Sequence, residues 1–140
     1  MSGTMLVARI LFSLLFLASG FGHLAQTDAM TGYAQSKGIP SARAAVLVSG
    51  ALLVVGALSV LLGVYGDLGA LVLAATLVPI TAGMHRFWEL EDPMARQTEQ
   101  VMFMKNVALI GGALAIFVVY GLLGDALDFT LTDSVFTLTP

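Results

Sequence analysis

The residues of this chain best suited to chemistry are His23, His85, Lys105 and Asn106, and each stands at the edge of a long apolar run. An imidazole can take or release a proton near neutral pH, share a hydrogen bond or ligate a metal. An amide offers donors and acceptors together, and an ammonium offers donors and a charge. Ionisable groups beside an apolar span are costly, which makes them functional candidates by default. Ser49 and Trp88 lie close enough in the same pattern to complete a candidate cofactor-binding set of His23, Ser49, His85, Trp88, Lys105 and Asn106. Three chemistries compete for it. Two histidines could ligate a haem across a bundle, but both sit near segment ends on segments expected to be diagonal neighbours. A metal needs more than two histidines or carboxylates in a ligand pattern, and Glu89, Glu91 and Asp92 form no H-x-x-x-H or H-x-x-E-H motif with them, so no metal site is expected. A quinone headgroup asks for one or two hydrogen-bonding groups above an apolar slot, which this set can supply.

Each residue also has a plain structural role. His23 can close its helix by bonding the last carbonyls. Met84-His85-Arg86-Phe87-Trp88 has the composition of an interface anchor. Lys105 can snorkel to water along its stem, and Asn106 can bond a neighbouring helix. The constellation says more than its members, because an apolar cleft with a few convergent polar groups is how small-molecule sites are built.

The elements that must position these groups are membrane helices. Of 140 residues, 58% are hydrophobic and 11% charged, against roughly 25% charged in a soluble domain. Only six Lys and Arg, with a net charge of −3, leave no basic patch for nucleic acid. The absence of cysteine removes dithiol exchange, thiolate-held clusters and disulfides. No G-x-S-x-G, phosphate loop or dinucleotide fingerprint occurs.

A spanning helix needs about 20 mostly apolar residues. Four segments meet this, at about 5–24, 44–65, 68–85 and 103–123, followed by a broken apolar and acidic tail over 124–140 that reads as interfacial. The expected fold is therefore all-α, one integral membrane domain built as a four-helix up-down-up-down bundle. The first segment also resembles a cleavable signal peptide around Ala18-Ser19-Gly20, but its apolar run continues to Leu24 and Arg9, Ser13, Phe16, Gly20 and His23 keep helical spacing. Small residues at Ser49, Gly50, Gly56, Ser59 and Gly63, and at Gly111, Gly112 and Ala115, suit close helix packing in lipid. Pro79 should kink the third span and free a carbonyl that Thr76 or Thr81 could meet. Alternating threading gathers the candidate set at one polar end, leaving Arg9, Tyr65, Asp67 and Tyr120 at a plainer one.

The chain resembles the DoxX family of small bacterial and archaeal membrane proteins. The resemblance lies in Ala8-Arg9-Ile10-Leu11, Ser19-Gly20-Phe21-Gly22-His23-Leu24 and Tyr33-Ala34-Gln35-Ser36-Lys37-Gly38-Ile39-Pro40. It continues through Ser49-Gly50, Gly56, His85-Arg86-Phe87-Trp88, Phe103-Met104-Lys105-Asn106 and Gly111-Gly112. It implies a four-helix membrane bundle, and for some members association with quinone-linked redox complexes such as thiosulfate:quinone oxidation. The wider grouping is similar to membrane dithiol–quinone enzymes and to a eukaryotic cargo receptor, and this chain lacks the cysteines of the former.

The resulting expectation is a membrane accessory subunit of a quinone-linked redox system, holding quinone at the polar end beside a redox-complex partner or a second copy. The alternative is a non-catalytic carrier or assembly subunit docking a protein partner through small-residue helix faces. A transporter fits less well, since four helices without an internal repeat make a poor permeation path. Lys37, Arg43, Arg86, Arg96 and Lys105 against Arg9 place the 25–43 and 86–104 loops in the cytoplasm, and the resemblance implies that the membrane is a bacterial inner membrane.

Overall fold

In the computed structural model, which describes residues 2–139, the chain runs α1 (Ser2–Ala25), α2 (Thr27–Ser36), α3 (Ala42–Leu62), α4 (Gly66–Met84) and α5 (Pro93–Leu123). Short 3-10 turns occupy Phe87–Glu89 and Gly124–Ala126. Segments Gly3–Ala25, Ala42–Leu62, Gly66–Glu89 and Pro93–Leu123 are long and apolar enough to cross a bilayer. The protein is an all-helical membrane bundle.

Sequential spans pack against one another, α1 on α3, α3 on α4 and α4 on α5, with no comparable packing between α1 and α4 or between α1 and α5. α1 and α3 approach closely because both carry glycine where they cross. A Cβ on Gly50 would stand 2.7 Å from the Cβ of His23, and one on Gly20 would stand 2.9 Å from the Gly50 carbonyl. In lipid, where association rests on van der Waals contact, such an approach is what small residues permit. Phe16, Leu53, Ala57, Val60, Leu73, Leu77, Ile116 and Tyr120 form the core between the spans.

Three elements differ from the expected layout. The 25–43 linker contains α2, whose Ala34 packs with Ala42 and Val46 while Met30, Ile39 and Met84 close around them. The fourth span starts ten residues earlier than 103, because Asp92 caps it by accepting from Ala95 N–H at 2.8 Å and Pro93 occupies the first turn. At 31 residues this helix is roughly 46 Å long, more than the hydrocarbon needs, so its first turns extend past the membrane core.

The third difference is at the plainer end, where the tail folds back onto the bundle. Leu131 and Thr132 N–H groups donate to the Gly63 carbonyl, and Leu138 N–H to that of Gly121. Gly63 ends α3 at φ 65°, and a Cβ there would lie 2.7 Å from Thr130 Cα, so glycine serves both the left-handed turn and the tail's approach. Arg9, 0% exposed, donates to the carbonyls of Val60 (3.0 Å), Leu61 (2.6 Å), Phe129 (2.9 Å) and Asp128 (3.4 Å). Two of those belong to the last turn of α3, whose carbonyls have no partner within the helix. Asp67, also fully buried, accepts from Phe136 N–H at 2.7 Å. Around Pro79 the threonines bond elsewhere than to the freed carbonyl: Thr76 donates to Val72 and Thr81 to Leu77.

Candidate functional site

A cavity of about 870 Å³ lies inside the bundle at its polar end. Its deep walls are apolar, from Phe16 on α1, Leu53 on α3 and Val72 and Leu77 on α4, and α2 with Ile39 and Pro40 lines its outer end. His23, Ser49, His85, Lys105 and Asn106 all line it, so five of the six residues singled out from sequence reach one space. Trp88 does not. It is exposed, and its ring stands edge-on to Phe87 and Phe103 at 5.2 and 5.9 Å, a cluster that joins the α4–α5 turn to α5.

The polar groups are fixed to different degrees. Ser49 gives its hydroxyl proton to the Val46 carbonyl (3.1 Å), which leaves its oxygen to accept from His23 Nδ1–H at 2.9 Å. In the neutral tautomer with its proton on Nδ1, Nε2 is the ring's acceptor. Asn106 is 4% exposed, and its side-chain amide has no hydrogen-bond partner among the described residues. Lys105 Nζ lies 3.6 Å from Met102 Sδ, its head leaning back toward the polar end as helical side chains do.

His85 belongs to a second centre that sequence reading missed. Its Nδ1 is 2.7 Å from Glu99 Oε2, while Glu99 Oε1 accepts from Lys37 Nζ at 2.9 Å and from Tyr33 Oη at 3.0 Å. Arg86 adds a bond to the Lys37 carbonyl. One carboxylate therefore ties α2, the end of α4 and the first turns of α5 together. The hydrogen bond that Lys37 donates to Glu99 raises the lysine above its ordinary pKa, and burial raises Tyr33 above its own. The signal for Glu99 was its spacing: seven residues before Asn106, it occupies the same helix face once α5 is started at Asp92-Pro93. No group of three or more His, Asp or Glu side chains suited to a metal occurs among the described residues.

A multi-span helical bundle enclosing a cavity that is apolar within and polar at one end is the class of protein these features define. The chain belongs to the DoxX family, whose family model matches residues 4–86. That match runs from the first span to Arg86, so Glu99, Lys105 and Asn106 lie beyond it. No match is found among curated proteins or among solved structures.

Proposed function

We propose that this protein is a membrane accessory subunit of a quinone-linked redox system that holds a quinone in the cavity, headgroup at the polar end and tail among the apolar walls. The observation that carries the reading is Asn106: an amide 4% exposed, facing a cavity and lacking a protein partner. With no protein partner, that amide is open at the cavity surface to a ligand oxygen. His23 Nε2 adds an acceptor for a hydroxyl, and Ser49 holds that ring in place. The residues fit the group, since a quinone head alternates between carbonyl and hydroxyl oxygens and the set offers an amide donor with an imidazole acceptor. When bound, the quinone would supply two-electron acceptor chemistry. The chain's own part is to bind and orient it, to exclude water with α2 and to keep His85 fixed against Glu99. The quinone assignment also draws on the family, some of whose members are tied to such complexes, with a redox protein or a second copy as partner. The reading includes the polar end, with loops 25–43 and 86–104, facing the cytoplasm of a bacterial inner membrane.

The test is equilibrium binding of a short-tailed ubiquinone and a short-tailed menaquinone to the purified protein in nanodiscs. Saturable binding near one per chain, weakened about tenfold by Asn106→Leu through loss of roughly 1.4 kcal/mol, supports the reading. Equal binding by the variant, or none by either protein, removes it.

A second reading is a non-catalytic carrier or assembly subunit. Gly111 has open space where a side chain would be, and Ala108 and Ala115 beside it on α5 are exposed, so this small-residue face is unused within the chain. It predicts a stoichiometric protein partner and an empty cavity in gently extracted complexes.

A further inference from the structure

A neutral headgroup explains Asn106 and His23 but leaves Lys105 without a role. Lys105 lines the cavity, and the contact its ammonium makes is with the Met102 thioether. No carboxylate lines the cavity among the described residues. Glu99, the acid just beyond it, is already engaged by Lys37, His85 and Tyr33. Six residues separate Glu99 from Lys105 on α5, so the lysine begins about 9 Å nearer the membrane centre, inside the apolar length of the helix. An anion seated at the apolar walls of the cavity would attract that ammonium more strongly than one in bulk water.

The cavity also communicates with lipid. α1 and α5 are the neighbours that do not pack closely. Phe12 of α1 sits against the place where a Gly112 side chain would be, 3.2 Å from that Cβ position. Toward the polar end from this contact, Leu15 and Ser19 on α1 face the cavity together with Lys105 and Leu109 on α5. Leu15 is 40% exposed, and Ser19 and Lys105 are exposed as well. A seam of this kind, floored by Phe12 and rimmed by a cation, admits a chain lying in the bilayer.

We propose that the cavity takes a single-chain amphiphile with an anionic head, which enters from the lipid between α1 and α5 and sets its carboxylate or phosphate against Lys105, with Asn106 as the second donor. The inference rests on the cavity being a ligand site, as under the quinone reading, but not on the ligand being a quinone. A carboxylate and a phosphate monoester share the chemistry that an ammonium and an amide recognise.

The test uses the full chain in nanodiscs of zwitterionic lipid with tritiated palmitate, palmitate methyl ester and hexadecyl phosphate as probes. Saturable binding of palmitate or hexadecyl phosphate, at least tenfold tighter than the ester, supports the proposal when Lys105→Gln abolishes the preference and Lys105→Arg restores it. Whichever anion binds tighter identifies the source as a fatty acid or a lipid phosphate. Thermal unfolding of Lys105→Gln within a few degrees of the parent shows that the fold is intact; if it melts much lower, Lys105→Met at unchanged melting temperature serves instead. Ester binding equal to acid binding, or a preference that survives Lys105→Gln, overturns the proposal while leaving the cavity reading standing. Failure of these probes alongside normal quinone binding overturns this proposal alone. Failure of amphiphiles and quinones together overturns both.

Discussion

The imidazole of His85 and the carboxylate of Glu99 meet at 2.7 Å, and the same carboxylate receives Lys37 and Tyr33 from the helix that covers the cavity. His85 lines the cavity and Glu99 does not, so the pair connects the cavity to the contacts that hold α2 over it. Glu99→Gln keeps the size of the side chain but replaces one acceptor oxygen with a donor that faces other donors. The variant should lose about 1–3 kcal/mol, the usual consequence of leaving partly buried donors unmet, and unfold several degrees lower in detergent. An unchanged melting temperature would show that α2 is held by its apolar contacts alone.

Alkaline pH should release the same cover. Lys37 is raised above its ordinary 10.5, chiefly by the Glu99 hydrogen bond, and Tyr33 above its ordinary 10.0, chiefly by burial. Both groups bind their protons more tightly when folded. Their contribution is therefore complete below those ordinary values and is lost as pH climbs through the raised ones. The absence of cysteine gives a clean background for the measurement. Ala34→Cys places a thiol on the buried face of α2, and Gly32→Cys places one where nothing lies within 4 Å. The ratio of their labelling rates should stay low up to about pH 10, rise above it, and already be high near pH 8 in the Glu99→Gln background. A flat ratio to pH 12 would remove Lys37 and Tyr33 as the latch.

The four spans were legible because an uninterrupted apolar run in lipid has few alternatives to a helix. Placement of His23, His85, Lys105 and Asn106 at one end followed from threading direction alone. What sequence did not disclose depended on contacts distant in the chain. The stretch Thr27–Ser36 is polar, contains Gly32 and reads as a linker; its helix is held by Ala34 against Val46 and by Glu99 of α5. Glu99 itself sits in a polar stretch that hides its helix, which the Asp92 cap and Pro93 start ten residues before the apolar run. Trp88 was drawn into the candidate site by proximity to His85, yet its ring belongs with Phe87 and Phe103. Arg9 could be assigned an end of the bundle but not partners in a tail some 120 residues away.

Arg9 should matter to stability more than to ligand binding. Its guanidinium meets carbonyls of Val60, Leu61, Asp128 and Phe129 and lies 5.8 Å from the centre of the Tyr120 ring. Arg9→Met leaves several of those acceptors unmet in a buried place and should cost about 3 kcal/mol or more. Arg9→Lys should recover only part, since a compact ammonium cannot reproduce the spread of a planar guanidinium. Truncation after Leu123 removes two of the same acceptors, so its effect and that of Arg9→Met should fall short of additive when combined. Thermal unfolding of the single and double variants measures this, and strict additivity would mean that Arg9 does not hold the tail.

Burial of Arg9 also bears on which way the bundle faces the membrane. The positive-inside rule counts Lys and Arg in short loops and near span ends. Lys37, Arg43, Arg86 and Arg96 lie at the polar end, and Arg43 and Arg96 are exposed there. Arg9, by contrast, is enclosed by α3 and the tail, so among the described residues no Lys or Arg side chain is free at the plainer end. The polar end is therefore expected in the cytoplasm and both termini outside. Alkaline phosphatase fused after Pro140 should be active in a bacterial host and green fluorescent protein at the same site dark. Thiol labelling by a membrane-impermeant reagent in intact cells should reach Asp133→Cys but not Gly32→Cys. The reverse pattern would put the cavity mouth on the outer face, and the ligand's source would then have to be sought on that side.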